Sequence, residues 1–199
     1  MTPRTVGILA FPDVEVLDVA GPYEVFSVAG RRHGLDPFDV LLLGDRPGPV
    51  HGRNRFLLTP HHTLAGAPRL DILLVPGGPG ARQAQHDAEL LDALRARAAE
   101  AELVLSVCTG ALLLGRAGLL DGVECTTHHL AFPLLREAAP RAVVREDVRF
   151  TDAGRVLTSA GVSAGIDLAL HVVERLHGRE LAEEASRYME FPRRAAAGG

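Results

Sequence analysis

Cysteine is scarce in this 199-residue chain: Cys108 and Cys125 are the only two, too few for a disulfide framework. Neither stands in a Cys-x-x-Cys pair or beside histidines spaced as zinc ligands are, so no metal and no organic cofactor is expected. The doublets His61-His62 and His128-His129 add little, because neighbours on a strand point to opposite faces. No apolar stretch reaches the ~18 residues of a membrane span. Nor does the N-terminus carry a charged segment followed by a long apolar run and a small-residue cleavage site. A cytoplasmic protein is expected. Basic residues number 21 against 25 acidic ones, a formal charge of −4 with no basic run, so neither nucleic acid nor a membrane surface is an expected partner. Internal repeats and low-complexity linkers are lacking too. With 47% hydrophobic residues, the length suits one sizeable core. A single domain over residues 1–192 is expected, with a disordered tail at 193–199.

Four apolar runs of strand length stand out: Thr5–Ala10, Phe38–Leu43, Asp71–Val75 and Leu103–Val107. They are nearly continuous rather than alternating, as strands covered on both faces are, and helical patterns separate them. An α/β fold with an open, mostly parallel sheet follows. Helices are expected from about Asp18 to Arg31, with Asp18 as cap and Pro22 in the first turn, and over Ala88–Glu102, Ala111–Ala117, Ser163–Leu176 and Arg179–Met189. The stretch from Arg46 to Pro68 reads as a short β excursion or extended loop. A hairpin pairs Asp147–Phe150 with Arg155–Thr158.

Chemistry concentrates at Leu103-Val-Leu-Ser-Val-Cys108-Thr-Gly-Ala, where a cysteine stands between a buried strand and a helix with small residues after it. That is the pattern of a nucleophile elbow, which lifts a side chain above the sheet edge. Amides and a helix start near the sulfur are expected to lower the thiol pKa. Most lone cysteines are simply buried, and Cys125 is read that way. The glycines of Val75-Pro-Gly-Gly-Pro-Gly80 would either end a strand or let amides approach a ligand or an anion closely. Asp13, Glu15 and Asp18 end the first strand; a carboxyl group near the thiol could orient it or carry a proton, whereas Asp18 could equally be a helix cap. Thr126-Thr127-His128-His129 offers an imidazole to Cys108, though a capping or surface role is commoner for such a histidine.

Together these segments resemble the ThiJ/PfpI superfamily of class I glutamine amidotransferase-like proteins, over nearly the whole chain. Phe11-Pro-Asp-Val-Glu-Val-Leu-Asp18-Val-Ala-Gly-Pro22, Leu74-Val-Pro-Gly-Gly78, Ser106-Val-Cys-Thr-Gly110 and Thr158-Ser-Ala-Gly-Val-Ser-Ala-Gly-Ile-Asp167 are most similar to the isonitrile hydratase-like branch, and to the amidase-like parts of certain AraC-type regulators. The resemblance implies a flavodoxin-like three-layer sandwich, a homodimer, and a cofactor-independent hydro-lyase that adds water to an isocyanide through a cysteine thioimidate. It assigns catalytic places to Cys108, Thr109, Asp18 and Gly78, and a superfamily histidine to His128. The deglycase group's glutamate falls near Glu15, so either Asp18 or Glu15 could face the sulfur. Protease-like members have histidine after the nucleophile; Thr109 stands there instead, which disfavours a peptidase. The regulators continue into a DNA-binding domain and this chain stops at Gly199, so a stand-alone enzyme with a small-molecule substrate is expected. Glyoxalase or deglycase chemistry and a ligand- or redox-sensing module are the alternatives.

Overall fold

The four apolar runs fold as neighbouring parallel strands in a computed structural model that describes residues 2–193. In chain order the strands are β1 (Arg4–Ala10), β2 (Phe38–Gly44), β3 (Val50–His51), β4 (Leu57–Leu58), β5 (His62–Thr63), β6 (Ile72–Val75), β7 (Leu103–Val107), β8 (Glu124–Cys125), β9 (Val143–Val144), β10 (Phe150–Asp152) and β11 (Val156–Ser159). The helices are α1 (Val16–Val28), α2 (Ala81–Ala84), α3 (Ala88–Glu100), α4 (Gly110–Arg116), α5 (Phe132–Ala138), α6 (Ala164–His177) and α7 (Arg179–Tyr188). The main sheet has the order β10-β11-β7-β6-β1-β2-β5, and every pairing is parallel except that of β10 with β11.

This order explains the layers. From β1 the chain steps to β2 on one side, whereas from β6 it steps the other way, to β7 and then to β11. Right-handed crossovers in opposite directions put their helices on opposite faces. Accordingly α1 packs with α6, which packs with α7, while α4 gathers α2, α3 and α5. Covered on both sides, β6 and β7 are buried along their whole length, as their unbroken apolar sequence requires. The reversal of direction between β1 and β6 makes a crevice at the carboxyl ends of those strands, where ligands of open α/β sheets bind.

The expected elements are present, with shifts at their ends that have physical causes. Helix α1 begins at Val16, so Asp18 is its third residue and not its cap; Glu15 occupies the cap position without a side-chain bond. Pro22 consequently lies in the second turn rather than the first. Its missing N–H leaves the carbonyl of Asp18 without an i+4 partner. The helix is nonetheless held by burial, since a Cβ on Gly21 would stand 2.8 Å from Ile166 of α6. The excursion after β2 is a β3–β4 hairpin followed by the edge strand β5. The first strand of the C-terminal hairpin starts at Phe150, not Asp147. Arg193, the first residue of the expected tail, is ion-paired with Glu174, and 194–199 lie outside the described residues. Among the described residues no helix is long and apolar enough to cross a membrane.

Helix α3 carries its buried stripe at Leu90, Leu91, Leu94 and Ala98, and the Asp87 carboxylate caps it by accepting from the Leu90 N–H at 3.2 Å. Replacing Asp87 by Ala should destabilise the protein by about 1 kcal/mol through loss of that cap, read as a lower midpoint in chemical denaturation with an unchanged slope.

Candidate active site

Strand β7 runs between β6 and β11, and its continuation is the elbow. Cys108 has φ 56°, a left-handed conformation that costs a side-chain-bearing residue roughly 1–2 kcal/mol. Neighbouring strands hold it there. The Cys108 N–H is shared between the carbonyls of Ser159 and Ala160, 3.2 Å from each, and the Thr127 hydroxyl donates to the Cys108 carbonyl at 2.7 Å. A strained turn over-determined by its surroundings is the mark of a functional position. The next residue, Thr109, leads into the seven-residue helix α4.

Asp18 reaches this sulfur from α1. Its side chain is fully buried; Oδ2 accepts the Gly77 N–H at 2.9 Å, while Oδ1 completes no hydrogen bond of good geometry. The Cys108 thiol and the Val162 amide nevertheless act on the carboxyl, both favouring its charged form. Burial outweighs them and raises the Asp18 pKa to about 7, with the nearby charge of Glu15 adding to the rise. Asp18, not Glu15, is thus the carboxyl group that the fold brings to the thiol.

The expectation of a lowered thiol pKa is overturned. Burial first and the Asp18 carboxylate second push Cys108 up to about 12, against smaller opposing effects of the Thr109 amide and hydroxyl and the Val162 amide. The physical reason is that the elbow sits beneath the surface, 6% exposed, beside a potential anion rather than a cation. Near neutral pH the pair therefore retains a proton as a unit, and either partner can release it to a substrate.

The Pro-Gly-Gly loop explains itself by distance. A Cβ on Gly77 would lie 2.4 Å from the Thr109 nitrogen and 2.9 Å from the Cys108 Cβ, so only glycine fits beside the elbow. Gly78, at φ 124°, uses its N–H to donate to Thr109 Oγ1 at 2.9 Å and accepts that hydroxyl's proton at its carbonyl, 3.0 Å. The amide of Gly78 is therefore engaged with Thr109 instead of facing an oxyanion. By the same reciprocal bond Thr109 is tied to the loop, and it is the Thr109 amide that faces the sulfur.

His128 does not pair with the thiol. It caps the turn at His129–Ala131, its Nδ1 accepting the Leu130 N–H at 3.2 Å, and its ring stacks on that of His129 with centroids 4.3 Å apart. A Cβ on Gly161 would lie 2.2 Å from its Cδ2, so the imidazole lies against the β11–α6 turn. Burial, then His129 and Arg82, hold its pKa below the usual value, and Glu15 opposes them, which places both Glu15 and Arg82 within electrostatic range of the ring. From that segment it is Thr127 that touches the cysteine, a role visible only in the fold. Val162 was equally hidden. Cys125 is fully buried, with its thiol pushed up to about 11, in keeping with a structural role. Among the described residues no three His, Cys, Asp or Glu side chains are grouped to hold a metal ion.

A cleft of about 780 Å³ is lined by the Pro12–Asp13 and Pro79–Gly80 segments together with Arg46, Pro47, Pro49 and His51. Residues of the segment after β2 thus line a cavity, but Cys108 is not among that cavity's residues.

Comparison with known proteins agrees with this fold. The profile of the DJ-1/PfpI family matches residues 4–175. An isonitrile hydratase from Pseudomonas putida is 37% identical over 186 residues, 94% of this chain and 78% of the relative. The HTH-type transcriptional regulator GbdR of Pseudomonas aeruginosa is 30% identical over 191 residues, 96% of this chain; the chain spans only 52% of that regulator. The crystal structure of a ThiJ/PfpI family protein from Pseudomonas syringae superposes with a TM-score of 0.87 at 31% identity, covering 98% of this chain and 78% of the other.

The electrostatics of Asp18 carry a stability consequence. Its folded pKa of about 7 exceeds the ordinary 3.8, so between those values the native state binds more protons than the unfolded one, and stability falls as pH rises. Asp18→Asn should therefore melt higher than the wild type at pH 8, with the difference vanishing towards pH 4, in thermal denaturation followed by circular dichroism.

Proposed function

As the chain belongs to the DJ-1/PfpI family, we propose that it is an isonitrile hydratase-like enzyme, a cofactor-independent lyase that converts a small isocyanide R–N≡C to the formamide R–NH–CHO through a covalent bond to Cys108. The observation that carries this reading is the buried Asp18 carboxyl at the Cys108 thiol, with a pKa near neutrality and no imidazole bonded to the sulfur. A proton carrier whose pKa lies near the working pH transfers protons most effectively. An isocyanide carbon needs both a nucleophile and a proton, and this pair holds one of each. The 37% identity to an isonitrile hydratase supports the same chemistry.

The steps balance as follows. The thiol proton passes to Asp18 as sulfur bonds to the isocyanide carbon, and Asp18 delivers that proton to the same carbon, leaving the thioimidate R–N=CH–S–Cys108. Water then adds across the C=N bond, its hydroxyl to carbon and its proton to nitrogen, with Asp18 relaying the proton. The adduct R–NH–CH(OH)–S–Cys108 collapses to R–NH–CHO, and the sulfur recovers the hydroxyl proton. Negative charge on sulfur at the first and last steps is stabilised by the Thr109 and Val162 amides. Thr109 and Gly78 act together, their reciprocal bond holding the elbow against the glycine loop. Glu15 acts at one remove, by raising the Asp18 pKa. A cytoplasmic homodimer acting on a small molecule completes the proposal.

Deglycase-type chemistry would use Glu15 and His128 at the thiol, and the sulfur has neither as a partner, which weighs against it. The likeness to GbdR favours a second reading, a ligand- or redox-sensing domain. The two part on turnover. Purified protein should hydrate cyclohexyl isocyanide and leave methylglyoxal untouched, and Cys108→Ala should abolish formamide formation while keeping a native circular dichroism spectrum. Turnover of the aldehyde alone, or full activity without the thiol, would sink the hydratase. A stable sulfenic or sulfinic acid after mild peroxide, with no turnover of either substrate, would favour the sensor.

A pH profile tests the proton assignment. Relay requires Asp18 able to accept the thiol proton, so kcat/KM should rise as pH increases through about 7 and hold level above it, well short of the thiol's own ionisation near 12. Asp18→Asn should lower kcat by about 10²- to 10⁴-fold and abolish the rise.

A further inference from the structure

The turn between β11 and α6, Ala160–Ser163, borders the site, and something must hold it. Val162 is β-branched and adopts φ 53°, a conformation seldom open to such a side chain. Its amide acts on both Asp18 and Cys108, favouring the charged form of each. Local bonds within the turn run from Ala164 N–H to the Gly161 carbonyl at 3.1 Å, Ile166 N–H to the Ser163 carbonyl at 3.2 Å and Gly165 N–H to the Val162 carbonyl at 3.3 Å. Arg149 grips the same turn at both ends. Its carbonyl accepts the Ala160 N–H at 2.9 Å, and its guanidinium donates to Ser163 Oγ at 3.1 Å while pairing with the fully buried carboxylate of Asp167 in the first turn of α6.

A buried ion pair is a poor source of stability, because desolvation offsets most of the attraction, yet it fixes geometry well. We propose that Arg149 and Asp167 are positioning residues, whose ion pair holds the 160–163 turn so that the Val162 amide stays aimed at Cys108 and Asp18. This rests on Cys108 being the reacting group. Arg149 touches neither the sulfur nor the Asp18 carboxyl, and acts through one backbone amide.

The charged and polar groups around the sulfur are few. Asp18 faces it from α1 with Glu15 behind, and Thr109 faces it from the elbow side. Thr127 reaches the Cys108 carbonyl from the 126–129 segment, and His128 lies against Gly161. Loss of the Val162 amide therefore leaves the Asp18 charge opposed by less, and the thiol harder to ionise.

The test measures alkylation of Cys108 by iodoacetamide against pH, scored by peptide mass spectrometry so that Cys125 is counted separately, beside isocyanide turnover. Arg149→Met should displace the alkylation profile upward by about one pH unit, a tenfold slower reaction at a given pH. It should also lower kcat about tenfold with KM little changed, and Arg149→Lys should recover part of both. Ser163→Ala should move the profile less, in the same direction. Arg155→Met is the control for a merely structural effect, since Arg155 ties the start of β11 to the Ala98 and Ala101 carbonyls, at the opposite end of that strand from the site. Its profile should match the wild type. A wild-type profile in Arg149→Met, or an equal shift in Arg155→Met, would overturn the proposal; if Arg149→Met does not fold, an unshifted Ser163→Ala does so. Should the wild type hydrate no isocyanide, the hydratase reading fails by itself and the alkylation profiles still decide the role of Arg149.

Discussion

Asp18 is a fully buried carboxyl group with one good hydrogen bond, from the Gly77 amide, and it faces a thiol that is itself largely buried. Left to burial, both groups would stay neutral; the thiol eases ionisation of Asp18, whereas the Asp18 carboxylate makes ionisation of Cys108 harder. Most of the other features of the site can be understood as offsetting that cost without removing it. The amides of Gly77, Thr109 and Val162 converge on the pair, and each lowers the cost of a negative charge. They are backbone dipoles fixed by secondary structure, so they need no reorganisation when charge moves.

That convergence depends on topology. The sheet reverses its winding between β1 and β6, so the carboxyl ends of β1, β6 and β7 open side by side. Helix α1 brings Asp18 into the crevice from one face. The glycine loop after β6 lines it, and the elbow after β7 supplies the sulfur. Two residues in left-handed conformations, Cys108 and Val162, stand on neighbouring connections, and the bond from the Cys108 N–H to the Ala160 and Ser159 carbonyls joins them. Local strain at both points is offset by a scaffold whose central strands are wholly buried.

The same scaffold serves an isonitrile hydratase and a transcriptional regulator among the relatives. Fold alone does not separate those roles, since function resides in the site grafted onto it. What bears on this chain's role is the identity of the group at the sulfur. A carboxyl with a pKa near 7 is suited to moving a proton, whereas the imidazole that a histidine-assisted thiol would need is occupied as a turn cap at His128.

From the amino-acid order by itself came the layered α/β architecture and the elbow, because unbroken apolar runs and small residues after Cys108 are local signals that any fold must accommodate. The cysteine, the glycine loop and the pair of rival carboxylates were legible for the same reason. The choice between Asp18 and Glu15 was not: it turns on α1 starting at Val16, which directs Asp18 inward at the third helical position and leaves Glu15 at the cap. Nor could the chain's order reveal that the thiol would be raised rather than lowered, since a pKa depends on burial and on charges brought close from elsewhere. Thr127, Val162 and Arg149 are 19, 54 and 41 positions from Cys108 along the chain, and only tertiary packing sets them around it.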